Sequence, residues 1–98
     1  MNYLLASIEK PVKFLNAGIF ISPSNEYKHS TRVINSFELI YIIDGILYLG
    51  EEDKKFEAEK GDIIVLYPNI THYGFKYSKQ NTSFFWAHFL FQDKYEYF

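Results

Sequence analysis

The sequence predicts an all-β fold, and three observations support this class. Phe, Tyr and Trp make up 20% of the 98 residues, a share that suits pleated, half-buried strands. Short apolar or alternating segments recur along the chain, each bounded by Gly, Pro, Asn or Asp. No long segment shows a convincing helical period. Together these features are typical of a sandwich or barrel of short antiparallel strands.

The first third of the chain is predicted to contain one strand and one exposed loop. Residues 1–11, closed by Pro11, form either a short strand or a mobile arm. Residues 12–22 have the composition of a strand, and the interruption by Gly18 predicts a bulge or bend there. Residues 23–30 are the most polar stretch, so we expect a solvent-exposed loop.

The middle of the chain carries the clearest turn signal. Residues 37–43 are rich in aromatic and β-branched side chains and are followed at once by Asp44-Gly45. This dipeptide is typical of two-residue hairpin turns. We therefore predict a hairpin in which residues 46–49 pair with residues 37–43.

The remaining strands follow in the second half of the chain. Each is an alternating or continuously apolar run between turn residues. The predicted strands are residues 54–59, 63–67, 72–77 and 83–91, with turns at residues 50–53, 60–62 and 78–82. Residues 92–98 end without a turn or cap, so they either finish a last strand or mark a cut through a longer protein.

Composition excludes several classes of function. The length indicates one domain, residues 1–98. A net charge of −2 argues against binding to a phosphate backbone by this domain alone. The absence of cysteine excludes disulfides, thiolate metal sites and a cysteine nucleophile. The chain lacks an apolar run long enough to cross a bilayer and a signal-peptide start, so we expect no membrane association and a cytoplasmic location.

Two segments resemble the paired sequence motifs of the cupin superfamily. Glu38 and Gly45 fit the second half of the first motif, and Gly61, Pro68 and His72 fit the second motif. The resemblance implies a cupin-type double-stranded β-helix, or jelly-roll, barrel in which a carboxylate and an imidazole face a shared interior.

Most of the metal ligands of that superfamily are missing from this chain. The two histidine positions of the first motif fall on Arg32 and Ile34, or on Thr31 and Val33. A transition-metal site normally needs three or four protein ligands, and a guanidinium disfavours a cation. We therefore expect no metal, no other cofactor and no catalytic residue. No nucleophile elbow or phosphate-binding loop is present either.

A narrower family resembles more of the chain. Four landmarks in residues 32–89 look like the effector-binding domain of AraC-type transcription regulators. They are residues 37–45, Gly61-Asp62, the run from Pro68 to His72-Tyr73-Gly74, and residues 84–89. The resemblance implies a barrel that binds a sugar or another small effector, with an N-terminal arm able to cover the pocket. It also implies dimerisation helices and helix-turn-helix DNA-binding motifs downstream, outside this chain.

Candidate ligand contacts come partly from this resemblance and partly from strand alternation. The resemblance carries contact roles onto Arg32, Trp86 and the segment His72-Tyr73-Gly74; in the last, only one of His72 and Tyr73 can face the pocket. Alternation places Trp86 and His88 on one strand face, and Glu38 can accept from hydroxyl groups. The candidate ligand-binding residues are therefore Arg32, Glu38, His72, Tyr73, Trp86 and His88.

Each candidate also has a purely structural interpretation. Trp86 is equally well a core residue, His72 a buried histidine bonded to backbone, and His88 a filler at the barrel rim. Glu38 can form a structural ion pair with Arg32 or a lysine. Two further expectations concern the surface: that His29 is an exposed loop residue, and that residues 51–55 form a solvated charged turn.

Three functional classes stay open from sequence alone. The leading hypothesis is a sugar-sensing domain of an AraC-type regulator, with ordering of residues 1–11 over the barrel mouth as its switch. The second is a small metal-dependent cupin enzyme, such as a sugar isomerase or dioxygenase. The third is a dimerisation module, because exposed strand edges can pair between subunits into a homodimer.

Overall fold

The computed structural model describes residues 4–7 and 9–97, and within them the chain is built from strands and loops without a helix. The strands are β1 (Leu4–Ala6), β2 (Lys13–Ile21), β3 (Arg32–Val33), β4 (Phe37–Asp44), β5 (Ile46–Glu51), β6 (Lys54–Glu59), β7 (Ile63–Leu66), β8 (Thr71–Gly74), β9 (Ser83–Leu90) and β10 (Tyr95–Tyr97). The all-β prediction is confirmed. Strand β3 was not anticipated, and β8 ends at Gly74 rather than at residue 77.

Two antiparallel four-stranded sheets face each other across one core. Their strand orders are β2-β9-β4-β7 and β3-β8-β5-β6. Apolar side chains from both sheets meet between them, as the alternation of each strand requires. The core consists of Ile40, Ile42, Leu47, Leu49, Ala58, Ile64, Leu66 and Phe84.

The hairpin predicted at Asp44-Gly45 is wrong. Strand β4 pairs with β7 and β9, whereas β5 pairs with β6 and β8, so the dipeptide carries the chain from one sheet to the other. Gly45 has φ of 77°, the left-handed conformation that the dipeptide signals. The local signal indicates a sharp bend, but distant partners decide whether that bend closes a hairpin or a corner between sheets. The hairpin that does form joins β5 to β6.

The bulge expected at Gly18 lies elsewhere, because the register of β2 against β9 shifts between Phe14 and Asn16. Gly18 instead makes room for a neighbouring ring. A Cβ atom on Gly18 would lie 2.6 Å from Cζ2 of Trp86. The missing side chain therefore lets the indole lie directly against the backbone of β2.

The N-terminal segment is a strand where the structure describes it. Leu4–Ala6 pairs with Tyr95–Tyr97, and the Ser7 amide donates to the Lys94 carbonyl at 2.9 Å. Residues 1–3 and 8 of the expected arm lie outside the described residues. Of the two alternatives, residues 4–6 therefore take the short strand, and they extend the fold by pairing with its last strand.

Candidate functional site

A cavity of about 290 Å³ opens between the β2-β9-β4-β7 sheet and the loop that joins β2 to β3. Strands β2, β4 and β9 supply one wall, and the loop with the start of β3 supplies the other. The lining residues are Asn16, Phe20, Glu38, Phe84, Trp86 and His88 from the first wall and Tyr27, His29, Ser30 and Arg32 from the second. Its volume lies at the lower end of the range of small-molecule sites.

The period-two alternation of β9 builds the first wall. Phe84, Trp86 and His88 project into the cavity, as alternation predicts, while Phe85 on the opposite face is exposed. The indole of Trp86 contacts the imidazole of His88 edge to face, with ring centroids 5.5 Å apart. Trp86 therefore has Gly18 on one side and a polar, ligand-sized space on another.

Glu38 is the charged centre of the cavity. Its side chain is 2% exposed, and Oε1 accepts from Nη2 of Arg32 at 3.3 Å. Its Oε2 lies 3.7 Å from Nε2 of His88, whose Nδ1 lies 3.1 Å from Oγ of Ser36. A buried carboxylate is tolerated only with such partners. The cavity therefore contains one anion and one cation that neutralise each other.

Arg32 is held less tightly than Glu38. Its side chain is 40% exposed, and one contact to the carboxylate at 3.3 Å leaves most of its five donors uncommitted to Glu38. The guanidinium can thus donate to a molecule in the cavity without abandoning the ion pair.

His29 is buried, so the expectation of an exposed loop residue is wrong. It is 7% exposed because the loop is pressed against β8, where the Gly74 amide donates to the His29 carbonyl at 2.9 Å. A Cβ on Gly74 would lie 2.5 Å from the backbone nitrogen of His29, so only glycine permits this approach. Polar composition indicated the loop correctly but could not reveal that contact.

Burial shifts the proton affinity of two residues on this loop. It lowers the pKa of His29 below 6.5, an effect opposed by the Ser30 carbonyl and by Glu38. It also raises the pKa of Tyr27 to about 12, so this hydroxyl keeps its proton at neutral pH. At neutral pH the loop therefore presents an uncharged imidazole and an uncharged phenol to the cavity.

His72 and Tyr73 do not line the cavity. The His72 side chain is fully buried, with Nε2 3.2 Å from Oε2 of Glu51, and the Tyr73 hydroxyl donates to the Glu52 carbonyl at 2.7 Å. The two side chains therefore point to opposite faces of β8. His72 points inward, towards Glu51 rather than Glu38. Neither of these two predicted ligand contacts lies in the wall of the cavity.

Glu51 was expected in a solvated charged turn, and this is also wrong. It is 5% exposed and stands directly opposite His72 in the β5–β8 pairing. The same Oε2 accepts from the Tyr67 amide at 2.9 Å. Pairing between β5 and β8 therefore draws the first member of the acidic cluster into the interior, which local composition could not indicate.

Sequence reasoning also missed Asn16, Phe20, Tyr27 and Ser30 as cavity residues. For the first two a signal existed, because β2 alternation places Asn16, Gly18 and Phe20 on one face opposite β9. Tyr27 and Ser30 carried no such signal, since their positions depend on how an irregular loop packs.

The donor set does not fit a metal ion. Among residues 4–7 and 9–97, no group of three or more His, Cys, Asp or Glu side chains could hold one. The carboxylate that lines the cavity already contacts a guanidinium.

Residues 4–7 and 9–97 do not include a helix long and apolar enough to span a membrane.

Comparison with known proteins adds a family and a relative. Residues 19–91 match the profile of the AraC-like ligand binding domain. Over 76 residues, 78% of the chain, the sequence is 41% identical to the uncharacterized HTH-type transcriptional regulator YisR of Bacillus subtilis strain 168. The match spans only 26% of that relative.

Solved structures of low sequence identity share the fold. The plu4264 protein of Photorhabdus luminescens has a TM-score of 0.61 at 22% identity, over 93% of this chain and 74% of its own. A protein of Ralstonia eutropha JMP134, described as a "putative mannose-6-phosphate isomerase", has a TM-score of 0.57 at 11% identity, over 86% and 88%. These likenesses support the fold, a cupin-type jelly roll, and nothing finer.

Proposed function

Because this chain belongs to the AraC-like ligand binding domain family, we propose that it senses a small neutral polyol, most simply a monosaccharide, for a transcription regulator. The observation that carries the proposal is the cavity itself, where the indole of Trp86 lies near the Arg32–Glu38 pair. Sugars offer both an apolar C–H face and a set of hydroxyl groups, and this lining offers partners for each.

Charge balance favours an uncharged effector. The positive charge of Arg32 is compensated by Glu38 at 3.3 Å. Because Glu38 is itself a buried carboxylate, a second negative charge beside it would be repelled. An anionic ligand would have to compete with Glu38 for the guanidinium, whereas a hydroxyl group can share the donors and acceptors of the pair. Oε2 of Glu38 lies 3.7 Å from Nε2 of His88, longer than a hydrogen bond, so this carboxylate oxygen can still accept from a ligand hydroxyl.

Transmission of the signal to DNA is proposed by analogy with the relative. That protein is described as an HTH-type regulator, and the match covers about a quarter of it. We propose that DNA is contacted by a separate domain, in the cytoplasm, and that effector binding changes its activity. The effector can shift the regulator only by the difference in its affinity for the two states.

Thermal shift and tryptophan fluorescence test the ligand class. Trp86 is the only tryptophan, so its emission reports on the cavity without a label. We expect one of D-glucose, D-galactose, D-xylose or L-arabinose to change the emission and raise the melting temperature. A concentration about a hundredfold above Kd would stabilise the fold by about 2.7 kcal/mol. The variant Arg32→Met is the matched control, because it keeps an unbranched apolar chain and loses the guanidinium donors.

A flat response to the whole panel would contradict the sugar proposal and favour the dimerisation module. The metal-dependent enzyme is separated by a different measurement, the elemental analysis of protein purified without chelator. Stoichiometric iron, manganese, nickel or zinc would support the enzyme and contradict the sensor.

A further inference from the structure

His29 is fixed in the cavity wall by its backbone and by one of its ring nitrogens. The Gly74 amide donates to its carbonyl, and its own Nδ1 lies 2.9 Å from the Ser30 carbonyl oxygen. A carbonyl oxygen can only accept, so Nδ1 must carry the proton of the neutral ring. The tautomer is therefore set by the fold, and Nε2 keeps a free lone pair.

The lone pair of Nε2 faces the cavity. Within the described part of the chain this atom has no hydrogen-bond partner. It is not sealed in the protein either, because the buried side-chain atoms without a partner there are His72 Nδ1 and Thr82 Oγ1. Since His29 is almost wholly buried and lines the cavity, the space that Nε2 meets is the cavity.

The second imidazole of the wall differs from the first. Both ring nitrogens of His88 face a polar group of the protein, with the Ser36 hydroxyl 3.1 Å from Nδ1 and the Glu38 carboxylate 3.7 Å from Nε2. His29 has one end committed and one end open. The two histidines are therefore not equivalent, and only His29 presents an uncommitted acceptor.

We propose that Nε2 of His29 is the acceptor that selects a hydroxyl or N–H group of the effector at this end of the cavity. The inference rests on the proposed binding function and narrows its ligand class. A carbonyl, carboxylate or phosphate oxygen placed there would meet a lone pair and be rejected. Sugar acids and sugar phosphates whose anionic group reaches His29 are thus excluded, whereas neutral sugars and polyols are accepted.

Protonation of His29 would convert this acceptor into a donor. Burial keeps the pKa of His29 low, which holds the ring neutral at neutral pH. The charged and titratable groups around it are Tyr27 on the same loop, Arg32 on β3, Glu38 on β4, His72 on β8 and His88 on β9. Two of these are themselves histidines. A change of affinity at acid pH can therefore be assigned to His29 only with a variant that removes His29 alone.

The first test needs no ligand. Long-range nitrogen–proton NMR spectra of the free domain distinguish the two neutral tautomers of each histidine. At neutral pH we expect His29 as the Nδ1–H form, assigned by the loss of its signals in His29→Gln. An Nε2–H or doubly protonated His29 would overturn the inference whether or not any sugar binds.

The second test uses the sugar that gives the largest thermal shift among the four named above. His29→Gln keeps an acceptor near the Nε2 position, so we expect affinity within a fewfold of wild type and a weaker acid dependence. His29→Phe removes the acceptor, and we expect about a tenfold loss. One monodeoxy derivative of the sugar should lose about the same factor on wild type and nothing further on His29→Phe.

The outcomes separate this inference from the proposed function. Equal affinity of wild type and His29→Phe, with both variants folded, would overturn the role of His29 while leaving the sugar cavity in place. The failure of all four sugars on wild type would remove the sugar class, and with it this inference.

Discussion

At the scale of single residues, Gly18 is packed closely against the indole of Trp86. A Cβ at position 18 would lie 2.6 Å from Cζ2 and 2.9 Å from Cε2 of the indole. We expect Gly18→Ala to displace the ring, to destabilise the fold by about 1–3 kcal/mol and to shift the Trp86 emission. Urea unfolding and fluorescence spectra measure the two effects.

The ring itself supplies the control for that substitution. In a Trp86→Phe background the smaller side chain leaves room for a methyl group, so the cost of Gly18→Ala should shrink. A double-mutant cycle gives the coupling between the two sites. Equal costs in both backgrounds would mean that the clash is relieved elsewhere.

A second residue-scale prediction concerns the buried Glu51. Its Oε2 contacts Nε2 of His72 at 3.2 Å and the Tyr67 amide at 2.9 Å. We expect Glu51→Ala to cost about 1–3 kcal/mol, because both donors lose this acceptor inside the protein. Glu57→Ala, at an exposed position of β6, should change the stability in urea by less than about 0.5 kcal/mol.

Comparable values for the two variants would show that Glu51 is solvated in solution. That outcome would restore the charged turn that composition favours over residues 51–55. It would leave the cavity unaffected, since Glu51 does not line it.

At the scale of elements, two bends depend on left-handed backbone conformations with opposite residue choices. Gly45, between the sheets, has φ of 77°, and Glu52, in the β5–β6 hairpin, has φ of 54°. A Cβ on Gly45 would also lie 2.5 Å from Oγ1 of Thr82. We expect Gly45→Ala to destabilise by about 1–3 kcal/mol and Glu52→Gly to stabilise by about 0.5–1 kcal/mol.

Thermal unfolding of the two variants checks these opposite signs. A stabilising Gly45→Ala would contradict the corner between the sheets, because a relaxed bend there accepts a side chain. A destabilising Glu52→Gly would indicate that the Glu52 side chain contributes more than its backbone strain costs.

The same elements show how far sequence alone could predict this fold. Strand positions follow from local alternation, so β2, β4, β5, β6 and β9 were predicted nearly to their ends. Pairing depends on distant strands, and Asp44-Gly45 therefore signalled a bend without revealing its partners. The two-residue strand β3 has no periodicity to detect, and it exists because Arg32 and Val33 pair with β8.

The candidate site divides along the same line. Trp86, His88 and Glu38 lie on regular strands, so their shared direction could be predicted from alternation. His29 and Tyr27 lie on an irregular loop, and their burial follows from contacts with Gly74 and Ser78 that are remote in sequence. Alternation along the strands thus predicts the cavity residues of one wall. The residues of the loop that forms the other wall can be identified only from the three-dimensional structure.

At the scale of the whole molecule, the burial of His29 links folding to pH. In the unfolded chain this histidine titrates near 6.5, whereas in the folded state its pKa is lower. Between the two values the unfolded state binds more protons, so the free energy of unfolding increases with pH across this window. Acidification through and below 6.5 should therefore destabilise the wild-type domain.

His29→Gln isolates this contribution, because every other titratable group is common to both proteins. We expect the urea midpoint of wild type to fall more than that of the variant between about pH 7.5 and about pH 5.5. Parallel curves for the two proteins would show that His29 has the same proton affinity folded and unfolded. The loop would then be open to water in solution, and the cavity would lose the wall that presents Nε2 to its ligand.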